Sequence, residues 1–256
     1  MFKTLKRYGQ NFLIDKNILD LIISRADLRE SDCVLEVGAG EGVLTRELLS
    51  HDIRHLHSIE LDERLRASLE DLQGIQNFSL HWADAVKFDY DSLSPFPNKL
   101  IANIPYNITT PLIWELIKYA SRGLNYYLLM LQKEAALRLT AKPDTKERYP
   151  LGIAIEAMGH ANIIHNVSRT CFKPVPKVDS AITEIVIERN YELANDSLWS
   201  SLLHSGFSHR RKTLINNLRG FNGLDDLDLG ELNNKRAEDL TCGEWLKIYK
   251  KVQGDS

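Results

Sequence analysis

The chain has 256 residues, of which 43% are hydrophobic and 26% are charged, a composition typical of a globular protein with a sizeable core. No apolar run is long enough to span a bilayer, and the first residues lack the apolar stretch of a secretory signal, so we expect a cytoplasmic protein. The three cysteines lie far apart and form no CxxC pair, which suggests neither a disulfide framework nor a metal site.

The net charge of −3 hides two stretches without any acidic residue, residues 1–14 and residues 197–224. Their cations are Lys3, Lys6 and Arg7 in the first stretch and Arg210, Arg211, Lys212 and Arg219 in the second. An acidic average argues against a nucleic-acid partner, but local basic surfaces can bind phosphates. Charge alone therefore leaves two interpretations open, a solvated surface and a phosphate-binding surface.

In the first half of the chain, short apolar runs alternate with helix-like stretches. Strands are predicted at residues 33–37, 55–60, 78–82, 99–103 and 126–131, and helices at 43–50, 63–72 and 112–120. The last of these helices would open at Thr110-Pro111, a cap residue followed by proline at the first helical position. The alternation predicts an α/β fold with a doubly wound parallel sheet.

The second half begins with a predicted helix at 151–160 and predicted strands at 162–168 and 181–188. Between these strands lies a proline-rich link, residues 172–176, which we expect to resist regular pairing. Beyond residue 190 the pattern is helical, with helices at 198–207 and 208–219 and a last helix that opens with the capping box Thr241–Glu244. We therefore predict a cofactor-binding catalytic domain over residues 1–190 and a small all-α domain over residues 191–256.

A glycine-rich loop follows the first predicted strand. Gly38, Gly40 and Gly42 let the backbone turn tightly and approach a ligand closely. The third glycine comes too early for the dinucleotide fingerprint G-x-G-x-x-G, which disfavours NAD, and the loop has no Walker lysine for a triphosphate. The remaining common ligand is S-adenosylmethionine.

Two acidic residues follow the next strands at the same predicted edge. Glu60 ends the second strand, at the spacing where doubly wound folds place an acid that accepts the ribose hydroxyls. Asp84 comes just after the third strand and could accept a hydrogen bond from the adenine amine of the cofactor, although alone it would be taken for a solvated turn residue. Together with the glycine loop, they predict a cofactor site.

The sharpest signal is the sequence Asn103-Ile104-Pro105-Tyr106 directly after the fourth strand. An exocyclic adenine amine is a poor nucleophile, so catalysis needs acceptors that orient its N–H bonds. The amide oxygen of Asn103 and the carbonyl of Pro105 can accept them, and the Tyr106 ring offers a stacking face to a base drawn from its stack. Phe172, in the proline-rich link, could close over the base from the other side, or it could be a buried loop aromatic.

At these residues the sequence resembles the KsgA-type ribosomal RNA adenine dimethyltransferases, with erythromycin-resistance methylases and mitochondrial transcription factor B as more distant relatives. The ordered blocks that carry the resemblance are residues 9–13, 36–40, 59–62, 84–85, 103–107, 131–134, 176–180 and 210–213. The resemblance implies a Rossmann-like class I methyltransferase sheet with a small C-terminal all-α domain. Because Arg210, Arg211 and Lys212 lie in the acid-free stretch of that domain, we expect them to form its RNA-binding surface. The resemblance also implies that Asn11 and Leu13 contact the cofactor, as does Asn103.

The resemblance further implies the substrate: two adjacent adenines near the 3′ end of 16S rRNA, each dimethylated at N6 by a monomer acting on an immature small subunit. Two positions depart from the family pattern, because Ile104 replaces the usual leucine and Pro150 replaces the usual glycine after Tyr149. Two alternatives remain open. One is a large-subunit resistance methylase, and the other is a non-catalytic RNA-binding assembly or transcription factor, which the presence of Glu60, Asp84 and Asn103 disfavours.

Overall fold

The computed structural model describes residues 11–221 and 228–254. Lys3, Lys6 and Arg7 lie outside the described residues, so the basic surface predicted there stays a prediction. Within the described ranges, no helix is long and apolar enough to cross a membrane.

Five parallel strands form most of a seven-stranded sheet. They are β2 (Cys33–Val37), β3 (His55–Glu60), β4 (Phe78–Trp82), β5 (Lys99–Asn103) and β6 (Tyr126–Gln132). They pair in the order β4-β3-β2-β5-β6, and every neighbouring pair is parallel. The bounds match the predicted strands, except that β6 extends one residue further. The predicted α/β fold is confirmed, and the reversal of strand order at β2 opens a crevice at the carboxyl edge.

Two further strands complete the sheet beyond β6. In the second half of the chain, α5 (Pro150–Met158) leads into β7 (Gly159–Val167), and β9 (Ser180–Ile187) follows the proline-rich link. β9 runs antiparallel to β6, and its first residue, Ser180, pairs with Gln132 at the end of β6. The start of β9 therefore lies at the same sheet edge as the carboxyl ends of the parallel strands.

A second, two-stranded sheet joins the N-terminal segment to the proline-rich link. β1 (Phe12–Leu13) pairs antiparallel with β8 (Phe172–Lys173), and the amide of Ile14 donates to the carbonyl of Cys171 at 2.9 Å. The expectation that the link resists regular pairing is wrong for its first two residues. They precede Pro174, the first proline, and so keep their amide donors.

The helices that flank the parallel strands differ from prediction in three places. An unpredicted helix, α1 (Lys16–Ala26), begins at Asp15, whose carboxylate caps it by accepting from the amides of Asn17 and Ile18. α2 (Val43–Leu49) matches its prediction within one residue. α3 (Thr109–Leu116) begins before Thr110, so Ile108 and not Thr110 is its cap residue.

The predicted helix at 63–72 is wrong, since two short 3₁₀ helices, Glu63–Ser68 and Glu70–Leu72, occupy this stretch. They meet at Leu69, whose backbone (φ −115°, ψ 6°) lies outside the α-helical region. The break lets Leu69 and Leu72 pack together in one small hydrophobic cluster with Ala39 of the glycine loop. Burial of these leucines outweighs the helical spacing that the sequence suggested.

The chain divides into two compact units, residues 1–136 with 162–186 and residues 137–161 with 187–256. The first contains the parallel strands. The second is helical and contains α5, the second half of α4 (Lys133–Thr140), α6 (Ser197–Gly206), α7 (Leu214–Asn217) and α8 (Cys242–Gln253). Residues 137–161 thus group with the C-terminal helices. The predicted single boundary near residue 190 had placed these residues in the first domain.

Aromatic residues form the core of the second unit. Trp199 and Trp245 are fully buried, and the Phe207 ring stacks on Trp245 with 5.9 Å between centroids. The capping box predicted for the last helix is confirmed, because Thr241 Oγ1 accepts from the Glu244 amide and Glu244 Oε2 accepts from the Thr241 amide.

The predicted helix at 208–219 is wrong except for α7. Arg210, Arg211 and Lys212 lie in an exposed turn between α6 and α7, which we call the basic turn. The side-chain amide of Asn217 donates to the carbonyls of Gly206 and His209, at 2.6 and 3.1 Å. These bonds hold the chain in a turn where the sequence pattern predicted a continuous helix.

Candidate active site

A cavity opens at the carboxyl edge of the parallel strands, with about 780 Å³ of empty space including its open mouth. Its lining contains eight of the predicted site residues: Asn11, Gly38, Gly40, Glu60, Asp84, Asn103, Pro105 and Tyr106. They come from the N-terminal segment, the glycine loop and the ends of β3, β4 and β5. An open cleft lined by glycines and a few convergent polar side chains suits a small-molecule cofactor.

Two glycines bring separate parts of this cavity together. Gly38 (φ +84°) lies so close to the catalytic motif that a Cβ there would be 3.3 Å from Pro105 Cδ. Gly40 (φ +59°) lies under the Phe12 ring, where a Cβ would be 3.1 Å from two ring carbons. Positive φ and close contact both favour glycine at these positions. The glycine loop is therefore packed against both the N-terminal segment and the loop after β5.

Glu60 is held by main-chain donors at the end of β3. Its Oε2 accepts from the Gly40 amide at 2.9 Å, and its Oε1 accepts from the Asp62 amide at 2.8 Å. Only 7% of the residue is exposed, and burial raises the pKa of its carboxyl above the ordinary value, although the main-chain donors oppose this shift. Each oxygen keeps a second lone pair, so the carboxylate can accept two ribose hydroxyls. The residue therefore fits the ribose of S-adenosylmethionine.

Asp84 lies in the turn after β4 and is more exposed than Glu60. Its Oδ1 accepts from the Val86 amide at 3.0 Å, and its Oδ2 lies 4.0 Å from Lys87 Nζ. The turn holds the carboxylate at the cavity, where it can accept from an adenine amine.

A second, smaller cavity lies on the other side of the glycine loop. Leu13 lines this cavity and not the first, together with Gly38, Gly40 and Asn103, which line both. Glu36, which was not a predicted site residue, also lines it. Its Oε2 accepts from Thr45 and Ser58, whereas its buried Oε1 has no hydrogen-bond partner among the described residues. Burial raises the pKa of this carboxyl to about 7.

The Asn103 amide is oriented by the N-terminal segment. Its Nδ2 donates to the main-chain carbonyl of Asn11 at 3.2 Å, which leaves Oδ1 as an acceptor. The Pro105 carbonyl already accepts from the Ile108 amide at 3.1 Å, so one of its two lone pairs is left for a further donor. Both residues line the cavity, so the two oxygens can each accept a hydrogen bond from one substrate amine.

Tyr106 lines the same cavity and is half-buried. Its hydroxyl shares a hydrogen bond of 2.8 Å with Ser180 Oγ. Burial raises the pKa of the phenol, and a tyrosine with a raised pKa is neutral at physiological pH. Ser180 was not a predicted site residue, although it ends the block 176–180 that carries part of the family resemblance.

The structure does not bring Phe172 to the cavity. The residue is 1% exposed and packs in the main hydrophobic cluster with Leu13, Ile18 and Ile22. Its strand partner is Leu13, and its position in β8 fixes the side chain in this core. Phe172 therefore corresponds to a buried loop aromatic here, and a role in closing over the base would need it to leave the core.

The basic turn belongs to the second unit, and its three side chains have different environments. Arg210 forms an ion pair with Glu238 at 3.6 Å and donates to the carbonyl of Lys146. Arg211 and Lys212 are exposed. All three cations of the turn are therefore exposed to solvent, and Arg210 also holds local structure.

The family model of ribosomal RNA adenine dimethylases matches residues 1–254. The chain belongs to the ribosomal RNA adenine dimethylase family. A relative from Clostridium botulinum, named ribosomal RNA small subunit methyltransferase A, is 39% identical over 96% of this chain and 93% of its own length. A relative of the same name from Thiobacillus denitrificans is 36% identical, and the match covers 95% of each chain.

Solved structures agree with this assignment. A dimethyladenosine transferase from Plasmodium falciparum has a TM-score of 0.80 at 29% identity, covering 95% of this chain and 98% of its own. The 23S rRNA methyltransferase ErmE has a TM-score of 0.68 at 26% identity, covering 95% and 100%. The predicted class I methyltransferase fold, the predicted enzyme class and the predicted cofactor, S-adenosylmethionine, are confirmed. The chain is an rRNA adenine methyltransferase, so the family assignment favours the enzyme over the alternative of a non-catalytic RNA-binding factor.

Proposed function

We propose that this enzyme dimethylates N6 of two adjacent adenines near the 3′ end of 16S rRNA, acting in the cytoplasm as a monomer on an immature small ribosomal subunit. The observation that carries the proposal is the joint presence of Asn103, Pro105 and Tyr106 with Glu60 and Asp84 in one cavity. The names and high coverage of the small-subunit relatives support the choice of substrate.

Cofactor binding is assigned to residues at successive strand ends. We assign Glu60 to the ribose hydroxyls, Asp84 to the adenine amine, and Asn11, Leu13, Gly38, Gly40 and Asn103 to the remainder of the cofactor. The bound cofactor supplies an electrophilic methyl group. The N-terminal segment orients Asn103 through the Asn11 carbonyl, so cofactor binding and target positioning share one side chain.

Methyl transfer requires the N6 lone pair of the target to leave conjugation with its ring. In our proposal Asn103 Oδ1 and the Pro105 carbonyl accept the two N–H bonds and turn the lone pair toward the methyl group. These contacts strengthen as the nitrogen becomes tetrahedral and positively charged, which lowers the barrier more than it tightens ground-state binding. When the S–CH3 bond of the bound cofactor breaks and the N–C bond forms, the nitrogen would carry a positive charge until one N–H proton leaves to solvent. Asn103 Oδ1 and the Pro105 carbonyl would hold the N–H groups during this step.

RNA binding is assigned to the second unit. Arg211 and Lys212 of the basic turn contact the phosphate backbone in this proposal, and Arg210 contributes while it also holds Lys146 and Glu238. The C-terminal residues 191–256 would then form an RNA-binding domain. Lysine and arginine contacts of this kind position the RNA without reading its sequence.

The deciding experiment incubates the protein and labelled S-adenosylmethionine with unmethylated small subunits, with large subunits and with free RNA, followed by mapping of the label. We expect two methyl groups on each of two adjacent adenines of the small-subunit RNA. Label in the large subunit would replace the proposal with a resistance methylase, the activity class of ErmE. If label appeared only in free RNA, the proposal that the enzyme acts on the assembled small-subunit particle would be wrong.

A further inference from the structure

The hydroxyl of Ser180 shares a hydrogen bond with the hydroxyl of Tyr106, which lines the cavity. Ser180 is fully buried at the start of β9, and its Oγ lies 2.8 Å from the Tyr106 hydroxyl. Its strand pairing with Gln132 fixes its main chain against β6. The serine is therefore a rigid attachment point that comes from a different element than the catalytic motif.

The residue before Ser180 strengthens this attachment. The Asp179 carbonyl accepts from the Lys133 amide at 3.0 Å, and Asp179 Oδ1 accepts from the Arg169 amide at 3.0 Å. These bonds fix the chain on the N-terminal side of Ser180, while the β6 pairing fixes it on the C-terminal side. The position of the serine hydroxyl is consequently set by three neighbouring segments.

We propose that Ser180 is a positioning residue for methyl transfer, which holds the Tyr106 hydroxyl so that the ring presents a fixed stacking face to the target adenine. The inference rests on the proposed function, in which Tyr106 stacks on that base. Tyr106 lies in the loop after β5 and is only half-buried. Its ring therefore needs an anchor to stay within the narrow range of angles that productive stacking demands.

A matched control lies three residues further along the same strand. Thr183 is also fully buried in β9, but its hydroxyl has no hydrogen-bond partner within the described ranges. Thr183→Val removes a buried hydroxyl from β9 without removing a contact with Tyr106. A general effect of a changed β9 would appear in both variants, whereas a positioning effect would appear only at Ser180.

The test is a double-mutant cycle with Ser180→Ala, Tyr106→Phe and the double variant, together with Thr183→Val. Single-turnover methylation is measured on whichever RNA the wild type methylates, with cofactor affinity measured by calorimetry. We expect Ser180→Ala to lower the rate about two- to tenfold, the size of one net hydrogen bond, with unchanged cofactor affinity. In the Tyr106→Phe background, Ser180→Ala should have no further effect, because the shared bond is already lost.

A spectroscopic measurement separates ring position from activity. With 3-fluorotyrosine incorporated at position 106, the fluorine resonance reports the environment and mobility of this ring alone. We expect Ser180→Ala to shift or broaden the resonance and Thr183→Val to leave it unchanged. This readout needs no RNA, so it judges the positioning role even if the proposed substrate is wrong.

The inference would be overturned by equal rate losses in Ser180→Ala and Thr183→Val, or by rate losses of Ser180→Ala and Tyr106→Phe that multiply in the double variant. An unchanged fluorine resonance in Ser180→Ala would also overturn it. If the wild type methylates no tested RNA while the resonance responds only to Ser180→Ala, the proposed function fails and the anchoring of Tyr106 stands.

Discussion

At the scale of single residues, main-chain groups orient the side chains that line the main cavity. Glu60 accepts from the amides of Gly40 and Asp62, and Asn103 donates to the carbonyl of Asn11. Main-chain partners persist when a side chain is replaced. Substitutions at these two positions should therefore remove ligand contacts without rearranging the surrounding chain.

Glu60→Ala should weaken S-adenosylmethionine binding by about 1.5–3 kcal/mol, or roughly ten- to a hundredfold, because the ribose hydroxyls lose a charged acceptor. Calorimetry measures this affinity directly. Glu63→Ala is the matched control, since Glu63 is an exposed acid that pairs with Arg66 beside the same strand end. Equal affinities of Glu60→Ala and wild type would remove Glu60 from the site.

Asn103→Ala should lower the methylation rate more than it lowers RNA affinity, because the amide oxygen matters most as the target nitrogen becomes tetrahedral. A modest loss of cofactor affinity is also expected, because Asn103 lines both cavities. Single-turnover rates at saturating cofactor and RNA separate the two effects. A folded variant that methylates at the wild-type rate would refute the assignment.

Glu36→Gln should change how the stability of the cofactor-free protein depends on pH. Burial raises the pKa of Glu36 from 4.5 to about 7 in the folded protein, so the folded state holds a proton that the unfolded state loses first. The stability due to the protonated carboxyl is present below pH 4.5 and is lost as pH rises toward 7. Glutamine stays neutral at every pH in this window. The free energy of unfolding of the variant, relative to that of the wild type, should therefore increase by roughly 1 kcal/mol per pH unit.

Chemical denaturation at several pH values between 5 and 8 measures this difference. His57 has the opposite effect in the wild type, because burial lowers its pKa to about 4 and its stability contribution is lost as pH falls from 6.5. Comparing variant with wild type cancels the histidine contribution, since both proteins contain it. A difference that does not vary with pH would contradict the raised pKa.

At the scale of elements, α6 and α8 meet within the second unit at a glycine. A Cβ on Gly206, the last residue of α6, would lie 2.4 Å from Cη2 of the fully buried Trp245 on α8. The contact requires the absence of a side chain at this position. At the same residue, the Gly206 carbonyl accepts a hydrogen bond from the side-chain amide of Asn217, which helps to hold the basic turn.

Gly206→Ala should destabilise the protein by about 1–3 kcal/mol through overpacking, partly offset by the better helix propensity of alanine. This corresponds to a loss of a few degrees in Tm. Gly243→Ala in α8 is the matched control, because no described residue beyond its own helix and its chain neighbours has an atom within 4 Å of a Cβ there. Equal melting temperatures of the two variants would mean that the indole ring yields to the new methyl group.

At the scale of the whole molecule, net charge and local charge have opposite signs. The chain carries −3 overall, yet the basic turn exposes Arg211 and Lys212 in a stretch without acidic residues. RNA would therefore be attracted locally, at these cations, and not by the net charge of the chain. In that situation the affinity for RNA depends strongly on those few cations and on salt.

Replacing Arg211 and Lys212 with glutamine should weaken binding to small subunits and flatten the salt dependence by about 0.7 to 0.9 log units for each lost phosphate contact. Cofactor affinity should not change. Lys247→Gln with Lys250→Gln removes the same charge from exposed positions of α8 and serves as the control. If both pairs flatten the slope equally, the effect belongs to net charge and not to the basic turn.

The sequence by itself determined the parallel sheet and most of the cavity. Strand bounds followed from runs of residues that must be buried on both faces, and the site followed because parallel strands end at one edge, where residues 38–40, 60, 84 and 103–106 meet. It also identified the last helix, because a capping box acts within four residues. Local chemistry was sufficient in these places.

Only the tertiary structure decided features that depend on partners distant in sequence. The Asn11 carbonyl and Ser180 reach the catalytic motif across 92 and 74 positions, and no local pattern predicts such contacts. Phe172 is in the core because β8 pairs with β1, whereas the sequence left open whether it closes over the target base or is buried. The basic turn replaced a predicted helix because the Asn217 amide satisfies carbonyls of Gly206 and His209. At Phe172 and in the basic turn, packing and hydrogen bonds beyond a single helical turn outweighed the local pattern, since burial and satisfied polar groups contribute more than helix propensity.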